Sequence, residues 1–136
     1  MKIRVVLDTN VIVSALTFGG KPQIIYELLA LNSIFTAYSS ENALGELLRV
    51  LERKFEYSSF RLQEVEKNIR ENFNIIGTGK IPNVIESDPS DNKFLAIADS
   101  ARADYIISGD RHLLELKKYK KTEIITPTKF LEEVSG

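Results

Sequence analysis

Cysteine is missing from this 136-residue chain, and His112 is its one histidine. The two absences exclude disulfides, thiolate zinc sites, cysteine nucleophiles and any multi-histidine metal centre, so chemistry done here has to use oxygen ligands. Charge of either sign in excess is lacking too, since 18 basic and 19 acidic residues leave a formal net charge of -1. No global attraction to nucleic acid follows from that balance, and RNA or DNA binding would have to rest on local basic patches. No run is apolar and long enough to span a bilayer. The first residues, MKIRVVLD, enter a core strand directly, with no charged n-region, apolar h-region or small-residue cleavage site, which makes the cytoplasm the expected compartment. Repeats, linkers and low-complexity tracts are absent. So are a phosphate-cradling loop and a dinucleotide fingerprint, because Gly19, Gly20, Gly77 and Gly79 do not stand between a strand and a helix with the required spacing.

What is present is the ordinary balance of a globular protein, 43% apolar and 27% charged residues. A chain of this length fits one domain, residues 1–136, and buries roughly 70% of the surface its unfolded form exposes. Residues 3–7, IRVVL, are β-branched and apolar on both faces and read as a buried parallel strand. After Pro22, the residues Ile24, Ile25, Leu28, Leu29 and Leu31 keep helical spacing, and FTAY at 35–38 reads as a second strand. Ser39 or Ser40 can cap a helix over 41–55, with Leu44, Leu47, Leu48, Leu51 and Phe55 on one stripe. A further helix is expected over about 58–73 and a short strand at 74–76, followed by a loop punctuated by Gly and Pro. From Pro89 the pattern restarts as helix, then strand at 105–108, short helix near 111–117, strand at 123–126 and a final helix. Alternation of this kind predicts an α/β domain with a mainly parallel sheet and right-handed crossovers.

One stretch does not fit. In VVLDTNVIVSAL, residues 5–16, the triplet Asp8, Thr9, Asn10 interrupts buried hydrocarbon. An acid in such a run costs several kcal/mol unless it is satisfied, which favours a functional reading of Asp8. Ligands of open parallel sheets bind outside the carboxyl ends of the strands, where Asp8 stands. Asp110, in ISGDRHLL, follows the strand at 105–108 and faces the same edge if the two strands are neighbours. Asp91 opens the helix after SDPSD, and Glu46 lies beside the apolar stripe of the 41–55 helix. Each of these three has an ordinary structural reading as well: Asp91 as a helix cap, Glu46 as a solvated helix residue, Asp110 as the end of an SGD turn. Were the four carboxylates to converge, they would repel one another and raise their own pKa values unless a cation neutralised them. Magnesium and manganese suit such oxygen ligands, and one or two ions can activate water and stabilise a phosphodiester displacement.

Four segments, VVLDTNVIVSAL, ENALGELLRVL, DPSDNKFLAIADSARADYIISGD and ITPTKFLEEV, resemble in order and spacing the PIN-domain nucleases and, more narrowly, the VapC-like toxins of toxin-antitoxin pairs. The resemblance spans nearly the whole chain. It implies a three-layer α/β/α sandwich, binding of Mg²⁺ or Mn²⁺, and cleavage of RNA. It places the family's four acids on Asp8, Glu46, Asp91 and Asp110, with Asp88 close enough to share the metal through water. It also places Thr9, Asn10 and Ser108 behind the acids, orienting carboxylates or water, and implies an antitoxin partner and a homodimer.

Arg49 and Arg53, three and seven positions beyond Glu46, share its helix face, and Arg111 follows Asp110, which suggests phosphate contact. Pairing of Arg49 and Arg53 with Glu46 or Glu52 is the ordinary alternative, worth a few tenths of a kcal/mol. The lysines at 117, 118, 120 and 121 read as a solvated loop, and His112 as a surface residue. A haloacid-dehalogenase-like phosphatase would require a second acid at position 10, where Asn10 stands, and the acid and lysine set of a receiver domain is absent. The rival from another class is a PIN-like module that binds RNA or protein and cuts nothing.

Overall fold

A computed structural model describes residues 2–135. Strand β1 (Ile3–Leu7) runs directly into helix α1 (Thr9–Thr17), followed by α2 (Gly20–Leu31), β2 (Phe35–Ser39), α3 (Glu41–Phe55), α4 (Ser59–Asn72) and β3 (Phe73–Ile75). After an irregular segment and one 3-10 turn at Pro89–Asp91 come α5 (Asn92–Ala101), β4 (Tyr105–Ile107), α6 (Arg111–Leu116), β5 (Lys118–Tyr119), β6 (Thr122–Ile125) and α7 (Pro127–Ser135). The six strands lie in the order β3-β2-β1-β4-β6-β5, all parallel except the short edge strand β5.

The two faces of the sheet divide the core as strand alternation requires. Val5, Leu7, Phe35, Ala37, Phe73, Ile107 and Ile125 point to the side covered by α1 to α4 and α7, while Val6, Ile106 and Ile124 point to α5 and α6. The result is a mixed α/β fold of three layers around a mostly parallel sheet. Helix α3 shows how local signals set an element. Ser40 accepts a hydrogen bond from the Ala43 N–H at 3.1 Å, Leu44, Leu47 and Leu51 bury one stripe, and Glu56 ends the helix in the left-handed region at φ 55°. Burial of each of those leucines contributes about 1.5–3 kcal/mol.

Two elements were not expected from the sequence. Helix α1 occupies the second half of VVLDTNVIVSAL; Val11, Ile12, Val13 and Ala15 are all buried, and its polar face, Asn10, Ser14 and Thr17, is too thin to set the helix apart from the apolar run that β1 begins. Strand β5 lies within the lysine-rich segment read as a loop. Lys117 and Lys120 take positive φ and fold Lys118–Tyr119 back against Thr122–Ile125, although the lysines themselves are exposed.

The strand order creates the place for a site. From β1 the sheet grows through β2 to β3 on one side, and the chain then returns to lay β4 on the other side of β1. The carboxyl ends of β1 and β4 therefore flank the point where the winding reverses, the position at which sheets of this kind open a crevice.

Candidate active site

Asp8 leaves the end of β1, and its own N–H donates to the Ile107 carbonyl of β4 at 3.2 Å, which ties the two strand ends together. Its side chain has two duties at once. Oδ1 accepts from the Val11 N–H at 2.9 Å and caps α1, and Oδ2 accepts a short hydrogen bond from the Ser108 hydroxyl. The interruption of the apolar run is thus the junction of a strand and a helix, with the acid as cap. Ser108, fully buried, also accepts from the Asp110 N–H at 2.9 Å, so one hydroxyl fixes both acids. Asp110 caps α6 with Oδ1, which accepts from the N–H groups of His112 and Leu113 at 2.7 and 3.3 Å.

Asp91 is different. It is buried, it makes no capping hydrogen bond from its side chain, and its Oδ2 is an orphan without any hydrogen-bond partner among the described residues. The reading of Asp91 as a simple helix cap therefore fails. Carboxylate oxygens of Asp88, Asp91 and Asp110 all lie within 4.8 Å of one another. Asn92, next in sequence, holds this arrangement in place. Its Oδ1 accepts from the N–H groups of Val84 and Ile85, and its Nδ2 donates to the Ile85 carbonyl at 2.9 Å, which staples the irregular segment to the start of α5. Asp88 accepts in addition from the Ser90 hydroxyl at 2.6 Å.

Glu46 reaches the site from α3, where the Thr9 hydroxyl donates a short hydrogen bond to Oε1 and Lys93 Nζ lies 2.6 Å from Oε2. Lys93 also donates to the Ser90 carbonyl at 2.7 Å. Sequence reasoning passed over Lys93 and Asn92. The available signal was a polar pair, Asn-Lys, wedged between an acid and the buried run Phe94 to Ala98. Asn10 is exposed and makes no side-chain hydrogen bond among the described residues. Arg49 and Arg53 are exposed and form no ion pair with Glu46 or Glu52 among the described residues; the Arg49 guanidinium lies back over Gly45, where an added Cβ would sit 3.2 Å from it. Arg111 turns to Glu115 in an exposed pair at 3.7 Å, and His112 Nδ1 sits 3.0 Å from the Ser87 hydroxyl.

The electrostatics follow from this crowding. Burial pushes the Asp8 carboxyl up to about 6 against the pull of its Ser108 and Val11 hydrogen bonds, and the charges of Asp110 and Glu46 push it further. Asp91 is pushed up to about 7, first by burial and then by the charges of Asp110, Asp88 and Asp8. Like charges held together in a buried site are a functional signature when no protein cation neutralises them. The donor set is all oxygen, and the orphaned Asp91 Oδ2 supplies a free ligand atom, so these residues fit a hard divalent cation.

The PIN domain family matches residues 4–112, a stretch that contains Asp8, Glu46, Asp88, Asp91, Ser108 and Asp110. This chain belongs to the PIN domain family. Proteins of the family are generally metal-dependent nucleases. An uncharacterized protein of Methanocaldococcus jannaschii, MJ1680, is 34% identical over 98% of this chain and 92% of its own length. The crystal structure of PAE2754 from Pyrobaculum aerophilum has the same fold, with a TM-score of 0.60, 12% identity, and 99% of this chain and 98% of that one covered. Among the described residues of this PIN domain, no helix is long and apolar enough to cross a membrane.

Proposed function

We propose that this PIN domain is a metal-dependent endoribonuclease that hydrolyses phosphodiester bonds of RNA at the pocket between the ends of β1 and β4. The observation that carries the reading is the orphaned Oδ2 of buried Asp91, a residue whose carboxylate lies within 4.8 Å of those of Asp88 and Asp110. Asp88, Asp91 and Asp110 would hold Mg²⁺ or Mn²⁺, with Asp8 beside them. When bound, such an ion supplies Lewis acidity toward the phosphodiester and its attacking water.

The chain's own residues account for the rest. Ser108 and the Val11 N–H fix the Asp8 carboxylate in one orientation, and the α6 N–H groups do the same for Asp110, so neither acid has to be ordered when substrate arrives. Thr9 and Lys93 hold Glu46 at the pocket wall. Asn10, exposed beside Asp8, is free to orient water or substrate. Arg49, Arg53 and Arg111 stand near the acids in sequence and are solvent-exposed, which suits contact with the phosphates flanking the cut.

A finer reading makes this protein the toxin of a toxin-antitoxin pair, cytoplasmic, homodimeric and restrained by an antitoxin. It is supported by the resemblance of the four sequence segments to VapC-like toxins. Growth arrest on expression of the wild type, absent with Asp8→Asn, would support that role.

Cleavage of a mixed RNA pool by the purified chain tests the enzyme reading, with Mn²⁺ or Mg²⁺ against a chelator and with Asp8→Asn alongside. Cutting that needs both the ion and Asp8 is the expected result. RNA binding without cutting under any of these conditions would replace the enzyme with a non-catalytic binding module.

A further inference from the structure

Lysine is among the residue types least often buried, and where it is buried it has a charged partner. Lys93 is 8% exposed, in the second position of α5 and two residues after Asp91. Its ammonium reaches across to Glu46 Oε2 at 2.6 Å and to the Ser90 carbonyl at 2.7 Å, while Thr9 occupies Glu46 Oε1. Both oxygens of Glu46 are thereby engaged by groups of the protein. The acidic pocket therefore has two unlike halves. On one side Asp88, Asp91 and Asp110 lie together, and among the described residues no cation pairs with them and Asp91 Oδ2 has no partner. On the other, one carboxylate is already neutralised by a built-in ammonium.

We propose that Lys93 ties up Glu46 as an internal ion pair and so limits the pocket to one divalent ion, held by Asp88, Asp91 and Asp110. This inference rests on the metal-site reading above and goes beyond it by fixing the number of ions and the residue that sets it. Lys93 is a positioning residue here. Its charge occupies the space beside Glu46 that a second ion would need, and it repels that ion. With the ammonium removed, Glu46 is an uncompensated carboxylate tethered to Thr9, the residue that follows Asp8. Freed of Lys93, Glu46 Oε2 becomes an oxygen ligand for a second ion.

The test is a count of Mn²⁺ bound per full-length chain, read from the paramagnetic resonance signal of the free ion during titration. Wild type should bind one ion. Lys93→Met, which keeps the stem and removes the charge, should bind two, and Lys93→Arg should return the count to one. In the double variant Lys93→Met with Glu46→Gln, both buried charges vanish together, and the count should be one with affinity within about threefold of wild type. Should Lys93→Met fail to fold, Lys93→Gln, whose uncharged amide can still donate to Glu46 and the Ser90 carbonyl, takes its place with the same expected count of two, and a count of one in it would overturn the proposal. Two ions in the wild type, one ion in folded Lys93→Met, or a loss of about tenfold or more in the double variant would overturn the proposal. A folded wild type that binds no Mn²⁺ at all would instead overturn the metal site itself.

Discussion

Removal of divalent ions should make this protein more stable in mild acid than at neutral pH, the reverse of the usual behaviour of carboxylates held in ion pairs. The Asp8 carboxyl is pushed from an ordinary 3.8 up to about 6, with burial as the leading cause. A folded pKa above the unfolded one means that the folded chain binds the proton more tightly between about pH 4 and 6. Stability therefore falls as pH rises through that window, and the penalty is complete above it. At about 1.4 kcal/mol per pH unit, the Asp8 penalty comes to roughly 3 kcal/mol, and about half of it is recovered at pH 5. Asp91, pushed up to about 7, acts in the same direction and carries the window higher. Glu41, whose carboxyl Arg70 holds below its usual range, acts oppositely, but this pair is exposed and screened by salt. Urea unfolding followed by circular dichroism, in chelator and moderate salt at pH 5 and 7.5, should show the higher midpoint at pH 5. Asp8→Asn keeps an oxygen for the Val11 N–H and has no charge to desolvate. It should therefore be more stable than wild type at pH 7.5, by up to about 2 kcal/mol, and flatter with pH. Saturating Mn²⁺ should reverse the slope of the wild type, because the ion binds the ionised acids. Equal or rising stability from pH 5 to 7.5 in chelator, or a destabilised Asp8→Asn, would refute this account of the buried acids.

Three further substitutions probe separate parts of the molecule. Asp91→Asn should weaken Mn²⁺ binding by about tenfold or more in calorimetry and abolish RNA cleavage, while raising metal-free stability at neutral pH. Ser108→Ala strips Asp8 of a donor and leaves the Asp110 N–H without its acceptor in a fully buried position, so unfolding titrations should show a loss of about 2–4 kcal/mol. Phe130→Ala removes a fully buried ring that packs 5.8 Å from Phe35 and 5.6 Å from Tyr105, centroid to centroid. These rings sit toward the amino ends of their strands, away from the acids, and the expected loss of about 3–5 kcal/mol should come with unchanged Mn²⁺ affinity.

The order of strands and helices was legible in the sequence wherever an element had a boundary and a period of its own. Helix α3 lies where its stripe of leucines and its cap indicated, over Glu41–Phe55, and β1, β2 and β6 stand within a residue of expectation. Helix α1 was not legible, because its thin polar stripe, Asn10, Ser14 and Thr17, is set in an apolar run continuous with β1. The turn and strand at 118–119 were not legible either, since two residues are too few to alternate. Asp8 announced itself by its solvation cost alone. Its place as the α1 cap gives it a structural duty that is compatible with the proposed functional one.

Local chemistry therefore determined which residues form strands and helices and that Asp8 needs a partner, because propensity, capping and desolvation act over a few neighbours in the chain. Which acids meet was decided by tertiary structure. The return of β4 beside β1 pairs Leu7 with Ile107 and brings Ser108 to Asp8 across 100 positions of sequence. The packing of α5 near α3 sets Lys93 against Glu46, 47 positions away. Asn92 holds the segment that brings Asp88 up to Asp91 and Asp110. No local pattern encodes these meetings, because they depend on how crossovers close around a shared core, and a side chain's charge environment is set only when that core is complete.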